Sequence, residues 1–120
     1  VIGSRSFSSD LNLAALSGTA FSNGLIEAGI ISSGKHFPGH GDTSTDSHLD
    51  LTVINHDINR LRSTEFIPFI EAIANNIPSI MMGHINTPNL EDTELPASLS
   101  PYMITSILRE PIATRFVKCC

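Results

Sequence analysis

The chain has 120 residues, 41% of them apolar, with 12 acidic against 7 basic side chains and a formal charge of -5. That length suits one modest domain, and an acidic balance with few, scattered Lys and Arg argues against a nucleic-acid surface. No run approaches the roughly 20 apolar residues of a membrane helix, and the two cysteines, adjacent at Cys119 and Cys120, offer neither a disulfide framework nor zinc-ligand spacing.

The N-terminal text, VIGSRSFSSD, reads as a strand end spilling into a loop with Arg5 between two serines. It lacks a basic n-region and a long apolar h-region, so a cytoplasmic location is expected. It also lacks an initiator methionine, the mark of a piece of something larger. Asp10 is a plausible N-cap for a helix over about Leu11 to Ala28, in which Leu11, Leu13, Leu16, Ala20, Phe21, Leu25 and Ala28 recur at near-helical spacing as the expected inner face. Gly29 is its natural stop.

Gly29 to Phe37 begins with β-branched residues and ends on Lys35 and His36, the pattern of a buried parallel strand that delivers polar groups at its C-terminal end. Pro38, Gly39 and Gly41 then halt regular structure, and a loop runs to about His56. Asn55 or Asp57 can cap the next helix, where Ile58, Leu61, Phe66, Phe69, Ile70 and Ile73 form an apolar stripe. Pro68 should kink or split that helix, because proline lacks the amide proton its ladder needs.

Asn75-Asn76 ends the helix, and PSIMMGHI, Pro78 to Ile85, reads as a second buried strand with His84 at its C-terminal end. A polar loop follows to Ala97. Ser98 or Ser100 then caps a final helix with Pro101 near its first turn and Met103, Ile104, Ile107 and Leu108 inside. Pro111 breaks it. Phe116-Val117 is too short to assign, and the terminal cysteines are expected to sit on a frayed end.

The alternation of helix and strand indicates an α/β fold with a parallel sheet. Polar residues gather at strand ends, where a (β/α)8 barrel builds its active site and an open doubly wound sheet has its switch point. No glycine-rich dinucleotide fingerprint is present, which disfavours the open sheet. Two clear strands cannot close a barrel, so the expectation is a segment of a (β/α)8 barrel occupying residues 1–120.

The chemistry concentrates in Lys35 to His48, KHFPGHGDTSTDSH, which holds three of the five histidines, two aspartates and a lysine. In Asp46-Ser47-His48 the carboxylate stands two residues from the imidazole, close enough on a loop to fix its tautomer and raise its basicity. Such a pair can deliver and recover a proton, although Asp-x-His on a loop also occurs as plain surface decoration. Lys35, His36 and, if its loop lies beside them, Arg5 offer donors suited to the oxygens of a neutral sugar ring; each could equally be a solvated strand-end group. His40 could cap its own turn, His56 could simply be solvated, and His84 could be a structural histidine or a pocket-lining one.

A metal site built from His36, His40 and His48 with Asp42 and Asp46 is the competing idea. Zinc hydrolases usually mount two histidines on one rigid element, which the glycines and proline here oppose, so no metal is expected. A serine nucleophile lacks its G-x-S-x-G elbow.

KHFPGHG with the following DSH, GSRSF upstream, PFIEAIANNIPSIMMGHI downstream and PASLSPYMITSILRE after it closely resemble the catalytic barrel of family 3 glycoside hydrolases, specifically the bacterial β-N-acetylhexosaminidase branch. The similarity runs from Val1 to about Glu110. It implies a (β/α)8 barrel, no cofactor, and retaining hydrolysis of β-linked N-acetylglucosaminides, including muropeptide fragments, through a covalent intermediate. By the same resemblance His48 is the general acid/base with Asp46 as its partner, and Arg5, Lys35 and His36 hold the sugar ring. Most glycosidases use a carboxylic acid where this branch uses histidine. The family places its nucleophilic aspartate just after the last helix, whereas this chain reads PIATRFVKCC there, with no acid after Glu110. The alternative is therefore a non-catalytic or truncated sugar-binding fragment.

Overall fold

A computed structural model of the chain describes residues 3–41 and 52–112 and the backbone of 118–119. A short 3-10 turn, Gly3–Arg5, leads into helix α1, Leu11–Glu27. Asp10 caps α1 as expected, its carboxylate accepting from the Leu13 amide at 2.8 Å. After the stop at Ala28-Gly29, strand β1 is Ser33–Phe37, shorter than the expected Gly29 to Phe37: Ile30 and Ile31 lie outside it and are exposed, because no described strand pairs with them. After residues 42–51 the chain returns as β2, Thr52–Val53.

Helix α2, Ile58–Ser63, is capped by Asp57, which accepts from the Arg60 amide at 2.9 Å. It ends at a turn, and α3, Ile67–Ala74, restarts with Pro68 in its first turn. Proline splits this helix pair where its missing amide costs nothing. The text PSIMMGHI yields two strands, β3, Ser79–Met82, and β4, Ile85–Asn86. A final helix, Tyr102–Arg109, is capped by Ser100, whose hydroxyl accepts from the Met103 amide at 3.1 Å. This helix is π-type: the Glu110 amide reaches back five residues to the Thr105 carbonyl at 2.9 Å. Lys118–Cys119 forms β5, so the segment expected to fray pairs in parallel with Ser79 and Ile80 of β3.

All described pairings are parallel: β1-β3-β5 form one sheet and β2-β4 a second. Parallel strands separated by helices are the repeating unit of a (β/α)8 barrel, and the chain forms an arc of one. Ser33 pairs with Ser79 and Lys35 with Met81, so these four side chains share one face of the sheet. The Ser79 hydroxyl donates to that of Ser33 at 2.7 Å. Gly34 and Ile80 point to the other face, against Ile77 and Phe69.

The core lies on that helical side. Phe37 stacks on Phe66 at 4.9 Å between ring centroids and meets Phe69 edge-on at 5.2 Å. Leu61, Ile80, Ile85, Met103, Ile107 and Leu108 join it; of the stripe expected on α2 and α3, Ile70 departs, 44% exposed on the outer side of α3. Each such side chain contributes about 1.5–3 kcal/mol on burial.

Helix α1 departs from expectation. Its buried positions are Ala15, Thr19 and Ser22, while Leu13, Leu16 and Phe21 are 53%, 61% and 61% exposed. It packs along α3 with small residues, which let two helices approach closely. Ser22 and Ser32 share a buried hydroxyl contact of 2.6 Å that ties α1 to the approach of β1.

Candidate active site

The site grows from the C-terminal end of β1. The ladder to β3 shifts register between Lys35 and Phe37: Lys35 faces Met81, yet Phe37 faces Met82. His36 is left out of the pairing, and an irregularity of this kind re-aims a side chain at a strand end. Both the Lys35-His36 and Phe37-Pro38 peptides are cis. Beyond them the Gly39 amide donates to the His36 carbonyl at 2.8 Å and closes a tight turn.

This turn explains part of the PGHG text. Gly39 has φ +135°, and a Cβ there would lie 2.8 Å from both Cβ and Cγ of Glu65. Only glycine fits. Glu65, nearly buried, accepts from Arg60 Nη2 at 3.1 Å, so the α2-α3 junction braces the turn from below. The buried His40 ring meets half-buried His36 edge to face at 5.8 Å.

Arg5, Lys35 and His36 line one cavity of about 490 Å³ between α1, β1 and α3. Its size falls within the roughly 300–1,000 Å³ usual for small-molecule sites. His40 joins those three in the lining, together with apolar Phe21, Leu25 and Ile77. Arg5 and Lys35 are exposed, so both cations keep their hydration until a ligand displaces it.

The sequence matches the family model of the glycosyl hydrolase family 3 N terminal domain over residues 1–115. The chain belongs to glycosyl hydrolase family 3. A β-hexosaminidase of Tolumonas auensis is 39% identical over 110 residues, 91% of this chain and 32% of that protein. One from Hydrogenovibrio crunogenus is 34% identical over 92% of this chain and 30% of its own length. The crystal structure of native NagZ from Neisseria gonorrhoeae superposes with a TM-score of 0.85 at 33% identity, over 92% of this chain and 32% of that one. This family 3 chain therefore spans about a third of the length of the relatives it matches.

Asp46 and His48 lie outside the described residues, as does Asp42. The described chain stops at Gly41 and resumes at β2, where Thr52 pairs with Ile85 and the Ile54 amide donates to the Asn86 carbonyl at 2.9 Å. Among the described residues no three His, Cys, Asp or Glu side chains converge on a metal-sized point. No described helix is long and apolar enough to cross a membrane.

Two contributors were not legible in the sequence. Glu65 lies under Gly39 although 26 positions separate them in the chain, and no local pattern announces such a contact. Ser98, a candidate helix cap, bonds instead to His84 Nδ1 at 2.9 Å, and Ser100 takes the cap. Two serines flanking one leucine left that choice open.

Proposed function

We propose that this chain carries the acid/base loop and part of the sugar subsite of a retaining β-N-acetylhexosaminidase. His48 protonates the departing glycosidic oxygen and then takes a proton from the water that releases the sugar; Asp46 steadies its ring. The carboxylate that bonds to the sugar in between is assigned in this reading to no residue of these 120. Arg5, Lys35 and His36 donate to oxygens of the N-acetylglucosamine ring. Muropeptide-type glycosides are the natural substrate class in this reading.

The observation that carries the reading is the meeting of Arg5 with Lys35 and His36, far along the chain from it, around one cavity at the C-terminal end of β1. It is supported by the relatives, whose names are those of β-hexosaminidases. A further solved relative is NagZ from Neisseria gonorrhoeae in complex with N-trifluoroacetyl-D-glucosamine.

The test uses the full-length protein and aryl N-acetyl-β-glucosaminides of graded leaving-group ability. His48→Ala should slow a poor leaving group by about 100-fold to 10,000-fold, the usual worth of general acid/base catalysis. Activated leaving groups should suffer least. Unchanged turnover of a poor leaving group would remove His48 from this role, and sugar binding without any turnover by the unaltered protein would favour the sugar-binding alternative.

A further inference from the structure

We propose that His84 is a further substrate-contacting residue, held by Ser98 through Nδ1 so that Nε2 serves a hydroxyl of the bound glycoside. The proposal rests on the reading of the site as an N-acetylhexosaminidase subsite. Three observations lead to it.

The first is position. The Gly83 amide donates to the Phe37 carbonyl at 2.6 Å, the link between β3 and β1 immediately before His84. A Cβ at Gly83 would stand 3.2 Å from that same oxygen and 2.6 Å from Ile85 Cδ1, so the two strands touch there without room for a side chain. The next residue, Ile85, pairs with Thr52, where the chain returns from residues 42–51. His84 thus sits between the residue joined to the strand end that carries His36 and the residue paired with β2. It is not among the residues that line the cavity of Arg5, Lys35 and His36.

The second is orientation. The Ser98 amide donates to the Gly83 carbonyl at 3.1 Å and the Ala97 amide to the Ile85 carbonyl at 2.7 Å. These main-chain bonds bracket His84 on both sides and set the Ser98 hydroxyl 2.9 Å from Nδ1. The hydroxyl can donate to or accept from Nδ1, so the contact fixes the direction of the ring and leaves Nε2 facing away from Ser98.

The third is exposure. Gly83 and Ile85 are buried, but the His84 side chain between them is exposed. Its Nε2 is therefore open to a ligand. Nε2 of a neutral imidazole is a donor or an acceptor according to the tautomer. A sugar hydroxyl, being both, matches either.

Asparagine mimics Nδ1 and glutamine mimics Nε2, which separates the two halves of the ring. In the full-length protein, His84→Asn and His84→Ala should each lower kcat/KM on an aryl N-acetyl-β-glucosaminide roughly tenfold, the worth of one hydrogen bond of about 1.4 kcal/mol. Asparagine should keep the wild-type melting temperature, and His84→Gln should recover most of the activity. One monodeoxy substrate should be as poor for the wild type as the parent substrate is for His84→Asn, and the variant should not distinguish that pair. If His84→Asn matches the wild type, or if losses in His84→Ala track only the fraction folded, Nε2 contacts nothing in the reaction and the proposal is overturned. Wild-type protein inert toward every aryl N-acetylhexosaminide would overturn the functional reading and this proposal with it; an active wild type with indifferent variants overturns this proposal alone.

Discussion

Helices α1 and α3 pack against one another, but on α1 the buried side chains are Ala15, Thr19 and Ser22, whereas around α3 they are Phe66, Ala72 and, partly, Phe69 and Ile73. The α3 side fills space with rings and branched chains and so supplies the bulk of the hydrophobic stabilisation. The α1 side contributes proximity: small residues and the Ser22-Ser32 hydroxyl contact bring the helix close to the start of β1, so that Arg5 arrives beside Lys35 and His36. One half of the molecule thus holds β1 in place, and the other closes the cavity over it. A helix can be rich in leucine and still bury a different face.

The comparison can be broken most severely from the α3 side. Phe66→Ala removes a fully buried ring stacked on Phe37 and should cost about 3–5 kcal/mol, read from the denaturant midpoint. A loss below about 1 kcal/mol, the ordinary range of a surface change, would mean that this half is not the main store of stability. Ser22→Leu sharpens the α1 side, because it puts a larger side chain where the buried Ser22 hydroxyl stands 2.6 Å from that of Ser32 and leaves Ser32 without that partner. Overpacking should cost about 1–3 kcal/mol although the change is toward greater hydrophobicity. A stabilised Ser22→Leu protein would show that the interface has room to spare. The smallest effect is expected from Leu16→Gln, within about 0.5 kcal/mol in the 120-residue chain, as befits a side chain 61% exposed.

What could be read in advance divides along similar lines. Asp10, Asp57 and Ser100 cap the helices they were expected to cap or were candidates to cap, because a cap is satisfied by amides two or three residues away. Pro68 divides the helix pair because a missing amide proton is equally local. The grouping of Arg5, Lys35 and His36 was expected from the family resemblance, and the shared cavity is where the structure puts them. Three other features were not readable. PSIMMGHI splits between two sheets at Gly83, β5 forms at residues expected to fray, and α1 turns its leucines outward. In each case the outcome depends on which partner strand or helix lies alongside.

By itself, then, the sequence determined where the helices begin, the parallel α/β character, and the stretch in which the titratable side chains are gathered. These follow from forces acting over a few residues: capping, proline geometry, and the periodicity of apolar positions. Only the tertiary structure decided which face of α1 is buried, that Glu65 excludes any side chain at Gly39, and that Ser98 holds His84. Those contacts join residues far apart in the chain, and their strength exists only once packing has brought the atoms within touching distance.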